Sequence, residues 1–351
     1  MTVEYDTKAP RAESRAAITV FGILFGLTVM LAILSLPAGV YTVFFTTLTP
    51  GLGANTLVAM LFWVGPIPIL LPYALPLGLL FVSLVAVYAS FIVISAYRKM
   101  NVPAAFSAGW RQGISALLSN DLVIIVVSIG FLTFTAYVVD ILVAAGGVQI
   151  GGLTGDTLSL FFSTTSAPLI EEFGFRVCII GIVALLLSKE RSRRALLEAL
   201  WRPASTYEKE EIRAGKVFAL AAALVISAII FGLLHILSGS GWEIGKLPEA
   251  TYGGLVLGYL YIKYGFHVAV LTHWGIDYLL SAFSFFGQGA YGIPWGSTPG
   301  YALEQIVLLD LTMGIGLASF LLVVYLGVGR LRRSRPIVPL MASRPDASAT
   351  G

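Results

Sequence analysis

The chemistry of this sequence is concentrated in three short strings, EEFGFR at 171–176, FGLLH at 231–235 and HWGID at 273–277, each set inside a long apolar run. Ionisable groups in a bilayer core are costly, and by default they mark function. On a helix Glu172 and Arg176 lie one turn apart on one face and can neutralise each other. Glu171 is turned about 100° away, without that partner. A carboxylate lacking a cation can take up and release a proton, as a general base must. His273 and Asp277 are also one turn apart, so the carboxylate can orient or charge the imidazole. His235 shares a face with Phe231. Pro168, just upstream of the glutamates, removes a backbone hydrogen bond and can kink the helix beside them. Asp140 and Asp310 are further candidates in other spans, whereas His267 reads as interfacial. Each motif also has a plainer meaning, as a structural ion pair or a helix-packing hydrogen bond. Their coincidence on three spans, in a chain with few other membrane charges, favours a site.

The elements that must position these groups are membrane helices. Of 351 residues 57% are hydrophobic and 12% charged, with mean hydropathy +0.88, against about 25% charged in a soluble domain. Eight spans are expected, at about 17–39, 73–97, 121–146, 157–187, 216–237, 249–265, 266–286 and 304–328. The first is too long for the apolar core of a signal peptide and is expected to stay as an anchor. Segment 40–72 is apolar but broken by Pro50, Pro66, Pro68 and Pro72, and reads as an outer-surface or re-entrant stretch. The chain thus divides into a disordered cytoplasmic N-terminus (1–16), an N-terminal transmembrane region (17–155), a motif-bearing transmembrane domain (156–328) and a disordered basic tail (329–351). Residues 103–118 and 190–201 look like helices lying on the membrane surface.

Charge sets the orientation. With eight spans and both termini cytoplasmic, every Lys and Arg except Arg176 and Lys246 faces the cytoplasm, as the positive-inside rule requires. The basic residues sit at helix ends rather than on one patch, which argues against nucleic acid. The single cysteine, Cys178, excludes an internal disulfide framework.

Taken in order, EExxxR, FxxxH and HxxxD on separate membrane helices resemble the CPBP family, the CAAX-protease and bacteriocin-processing (ABI) membrane proteins. The resemblance covers about 157–286. It implies an intramembrane endopeptidase of the cell membrane acting on a membrane-associated or lipidated peptide, with C-terminal processing of CAAX-type proteins as one example. In that reading Glu171 activates a water and His235 helps to hold or deprotonate it. His273 and Asp277 stabilise the oxyanion, and Glu172 and Arg176 hold the site together. Prenyl-protein endopeptidases often carry Asn in the last motif. Asp277 here must be protonated or act through His273.

Two histidines and a glutamate also form the ligand set of many catalytic zinc sites, so zinc on Glu171, His235 and His273 stays open. HExxH spacing is absent, and a water activated by glutamate needs no metal. At about 1.5 Å per helical residue, the motifs lie at or beyond the membrane's middle as measured from the basic ends. A water-filled cavity must reach them, from a side the sequence does not name. The alternatives are a proton- or ion-coupled transporter, which would carry inverted repeats and paired broken helices, and a non-catalytic immunity or scaffold protein of the same fold.

Overall fold

The computed structural model describes residues 12–46, 53–190, 192–207, 214–292 and 303–333. In lipid a helix satisfies its own backbone, and all eight expected runs are helical. The first is α1 (Ala12–Phe45), which ends past the expected boundary. A β-hairpin follows, with β1 (Leu57–Val64) and β2 (Ile67–Pro76). Next come α2 (Leu77–Tyr97), α3 (Val102–Gln112) and α4 (Asp121–Ala145). The fourth run is α5 (Thr157–Glu171), a π-helical segment (Glu172–Gly181) and α6 (Ile182–Leu187). Short helices α7 (Arg193–Trp201) and α8 (Ala204–Tyr207) lead to α9 (Ala214–Leu237), α10 (Lys246–Tyr264), α11 (Phe266–Tyr291) and α12 (Leu303–Arg333).

The chain is therefore a polytopic helical membrane protein. Among the described residues, six stretches, those of α1, α2, α4, α9, α11 and α12, are long and apolar enough to cross a membrane. The two runs outside that count carry charge: Glu171, Glu172 and Arg176 in one, Lys246, Glu249 and Lys263 in α10. Helices α1 and α12 reach into the tails expected to be disordered. The remainder of both tails, and with it Lys8, Arg11, Arg335 and Arg344 of the charge argument, lies outside the described residues, as do Arg191, Lys209 and Arg213.

The hairpin is the exception to an all-helical reading. Prolines do break the helix in this segment, but the backbone then pairs with itself. Gly65 takes φ +60° at the first position of the two-residue turn, as a II′-type hairpin turn requires. Val64 and Ile67 form the closing pair, with Pro68 opposite Trp63. The closing pair exchanges hydrogen bonds and the next pair does not, so the N–H that Pro68 lacks is one from β2's outer edge. The hairpin tip is anchored on the π-segment, Gly65 N–H donating to the Gly174 carbonyl at 3.1 Å. The segment is thus a β-hairpin whose tip is held against the π-segment.

Helix α11 is the central post. One side carries Trp274 and Tyr278, which stack on each other at 5.1 Å. Tyr88 of α2 packs on Trp274, and Phe161 of α5 packs on Tyr278. Tyr88 also donates to the Thr165 carbonyl of α5 at 2.6 Å, and Tyr278 to the Ser35 carbonyl of α1 at 3.1 Å. At one end of the bundle Asp121 is fully buried beneath Lys99 (2.9 Å), Arg98 (3.5 Å) and His267 (3.3 Å). His267 is therefore tied into an ion cluster at the end of the bundle where α11 starts. It is buried, and the indole of Trp201 on α7 stacks over it at 5.5 Å. At the opposite end the 149–154 and 240–245 loops pair through backbone hydrogen bonds, including Gly152 N–H to Gly241 O at 3.1 Å.

Candidate active site

The fourth run changes its winding at the glutamates. Residues 172–181 form a π-helix, a wider turn found most often at functional sites. Tertiary contacts brace it. Ser227 of α9 donates to the Phe175 carbonyl at 2.9 Å. Gly174 lets the Trp63 backbone approach so closely that an added Cβ would stand 2.7 Å from the Trp63 carbonyl oxygen.

The adjacent glutamates, one on each side of this change of winding, have different surroundings. Glu172 is fully buried, and its Oε2 lies 3.0 Å from Nε of Arg176, also fully buried. The contact is ionic rather than a well-aligned hydrogen bond, and the guanidinium lies 4.5 Å over the ring of Phe231. The other oxygen of Glu172, Oε1, is 2.9 Å from Nδ1 of His273. Glu171 keeps 21% of its side chain exposed, its Oε2 3.9 Å from Nε2 of His273. That same Nε2 is 3.3 Å from Oδ2 of Asp277. His273 is thus a hub for three carboxylates. Its link to Glu172, across 101 residues of chain, has no signature in the spacing of either motif.

His235 enters from the last turn of α9. Its Nδ1 lies 2.8 Å from the Phe231 carbonyl, so Nδ1–H donates there and Nε2 is left as an acceptor. Glu171, His235, His273 and Asp277 all line one cavity of about 280 Å³, together with Trp63 of the hairpin and Lys246 of α10. At about 30 Å³ per water, it holds several solvent molecules. Trp63 and Lys246 are among several lining residues outside the three strings, with Leu153, Ser238, Ser240 and Trp242. Asp140 lies outside this cavity, as does Asp310, which is exposed on α12.

For a metal, the candidate set was Glu171, His235 and His273. Among the described residues no three His, Cys, Asp or Glu side chains converge as a metal-holding group. Nδ1 of His273 is held by Glu172 and Nδ1 of His235 by a carbonyl, contacts that would also orient a metal-binding imidazole, so it is the lack of convergence that decides. The donors do not fit a three-ligand site as they stand.

These features define an integral membrane protein with a water-accessible carboxylate–histidine centre. Residues 153–279 match the family model of the type II CAAX prenyl endopeptidase Rce1-like proteins, consistent with a CPBP-family intramembrane protease and bearing out the resemblance carried by the motifs. The matched stretch spans α5 to α11 and holds every residue of the three strings. Comparison with the curated proteins and with the solved structures gives no match.

Proposed function

We propose that the protein is an intramembrane endopeptidase of the cell membrane that cleaves membrane-associated or lipidated peptides with water activated by Glu171. The observation that carries this reading is the asymmetry of the glutamate pair. Glu172 is sealed against Arg176 and His273, while Glu171 opens on the cavity without a cation of its own.

Glu171 takes a proton from a water held with the help of His235 Nε2. The water oxygen bonds to the scissile carbonyl carbon, and the electron pair moves to the carbonyl oxygen. Nε2–H of His273 donates to that oxyanion, a preorganised donor in a site of low dielectric. When the C–N bond breaks, Glu171 returns its proton to the leaving amine. Asp277, at 3.3 Å from Nε2, acts through His273. Glu172 fixes the ring from its other nitrogen, and Arg176 holds Glu172.

The test is cleavage of a membrane-peptide library, including prenylated CAAX-type peptides, by purified protein in detergent or nanodiscs. Wild type is expected to cleave and Glu171→Ala to be inactive. Equal cleavage by both would remove Glu171 from the mechanism, and no cleavage by wild type would remove the enzyme reading. Loss with chelator and recovery with zinc would assign the site a metal.

A further inference from the structure

The cavity that Glu171 lines runs to the end of the bundle where α9 finishes and α10 begins, and a smaller one of about 80 Å³ shares His235, His273, Asp277 and Lys246 with it and extends along α4 and α10. The rim of the larger cavity is Ser238, Ser240, Trp242 and Lys246, which follow the last turn of α9 and open α10, with Leu153 opposite. Ser238 and Leu153 are exposed. Two loops are clamped to each other there, Thr154 N–H donating to Ser240 O at 3.0 Å and Gly245 N–H to Gln149 O at 2.9 Å.

In the other direction the bundle is plugged. From His273 toward the start of α11, Thr272, Leu271, Val270, Ala269 and Val268 are each at most 1% exposed. Across from them Ile180 and Tyr261 have no exposed surface. Beyond these, Trp201 of α7 stacks over buried His267, and Tyr261 donates to the Leu200 carbonyl at 2.5 Å. No solvent path to Glu171 passes through such packing.

The basic residues distinguish the two ends. Among the described residues Arg98, Lys99, Arg193, Arg202, Lys216 and Lys263 lie at helix ends on the plugged side. Lys246, at the rim, is paired with Glu249. The positive-inside rule makes the plugged end cytoplasmic.

We infer that the cavity is entered from the non-cytoplasmic face, and that the substrate is a peptide segment displayed at the outer interface by an exported or membrane-spanning protein. This deepens the protease reading and rests on it. A lipidated cytoplasmic tail, anchored in the opposite leaflet, would have to cross the α11 plug to meet Glu171.

Single cysteines in a Cys178→Ser background test the inference independently of catalysis. Ser238→Cys is expected to react with a membrane-impermeant maleimide in intact cells. Arg193→Cys on α7 is expected to react only after permeabilisation. Labelling at Ser238→Cys from outside should also block cleavage of a peptide supplied outside. The reverse labelling pattern would overturn the inference and leave the protease reading standing. The expected labelling with no cleavage by wild type would instead overturn the protease reading and leave the direction of access intact.

Discussion

Nδ1 of His273 lies 2.9 Å from Oε1 of Glu172, while the other oxygen of that carboxylate is 3.0 Å from Arg176. One buried carboxylate therefore ties a cation on its own helix to an imidazole on α11. Glu172→Gln keeps the volume and removes the charge that Arg176 needs. Breaking a buried pair from one side typically costs about 3–5 kcal/mol. Thermal unfolding in detergent should report a loss of that order, with inactivity following from the loosened ring of His273. Unchanged stability would mean that the pair does not hold this part of the bundle.

Glu171→Gln should behave in the opposite way. Glu171 makes only a long contact with His273, 3.9 Å to Nε2, so the melting temperature should fall far less than in Glu172→Gln. Turnover should fall by about 10²–10⁴-fold, the range for loss of a general base. A large drop in stability without a matching loss of turnover would assign Glu171 a structural role.

Asp277 is expected to work through His273. Asp277→Ala should lower kcat and leave KM nearly unchanged. Combined with His273→Ala it should add little, because residues acting as one unit are not additive. Asp277→Asn, which keeps a hydrogen-bonding group beside Nε2, should retain more activity than Asp277→Ala. Additive effects in the double variant would show that Asp277 acts on its own.

Gly174→Ala tests the hairpin. The new Cβ would overlap the Trp63 backbone, and forced overpacking costs about 1–3 kcal/mol. The hairpin should be displaced from the cavity wall while helix content stays constant. Faster proteolysis within 57–76 and reduced cleavage of substrate would report this. A variant with wild-type activity and protection would show that the tip does not need this contact.

Much of this arrangement is legible in the chain. Long apolar runs locate α1, α2, α4, α9, α11 and α12, because a span must be both long and apolar. The spacing of Glu172 and Arg176 foretells their pairing. What cannot be read depends on contacts between distant segments. Short apolar runs such as Leu57–Val64 are ambiguous between helix and strand, so the hairpin reads only as broken helix. The π-segment depends on Trp63 meeting Gly174 and on Ser227 meeting Phe175, neither visible locally. The cluster around His267 cannot be read because its partner Asp121 lies 146 residues away. The division of labour between the glutamates is suggested by their helical angle, but the link from Glu172 to His273 is not.

The hairpin of β1 and β2 also constrains how the molecule is made. Residues 57–76 are synthesised about a hundred residues before Gly174, whose carbonyl receives the Gly65 N–H. The hairpin can therefore make this contact only after the chain has been synthesised through α2, α3, α4 and α5. Gly174 is itself made before His235 and His273, so Trp63 can take its place in the cavity wall before either histidine exists.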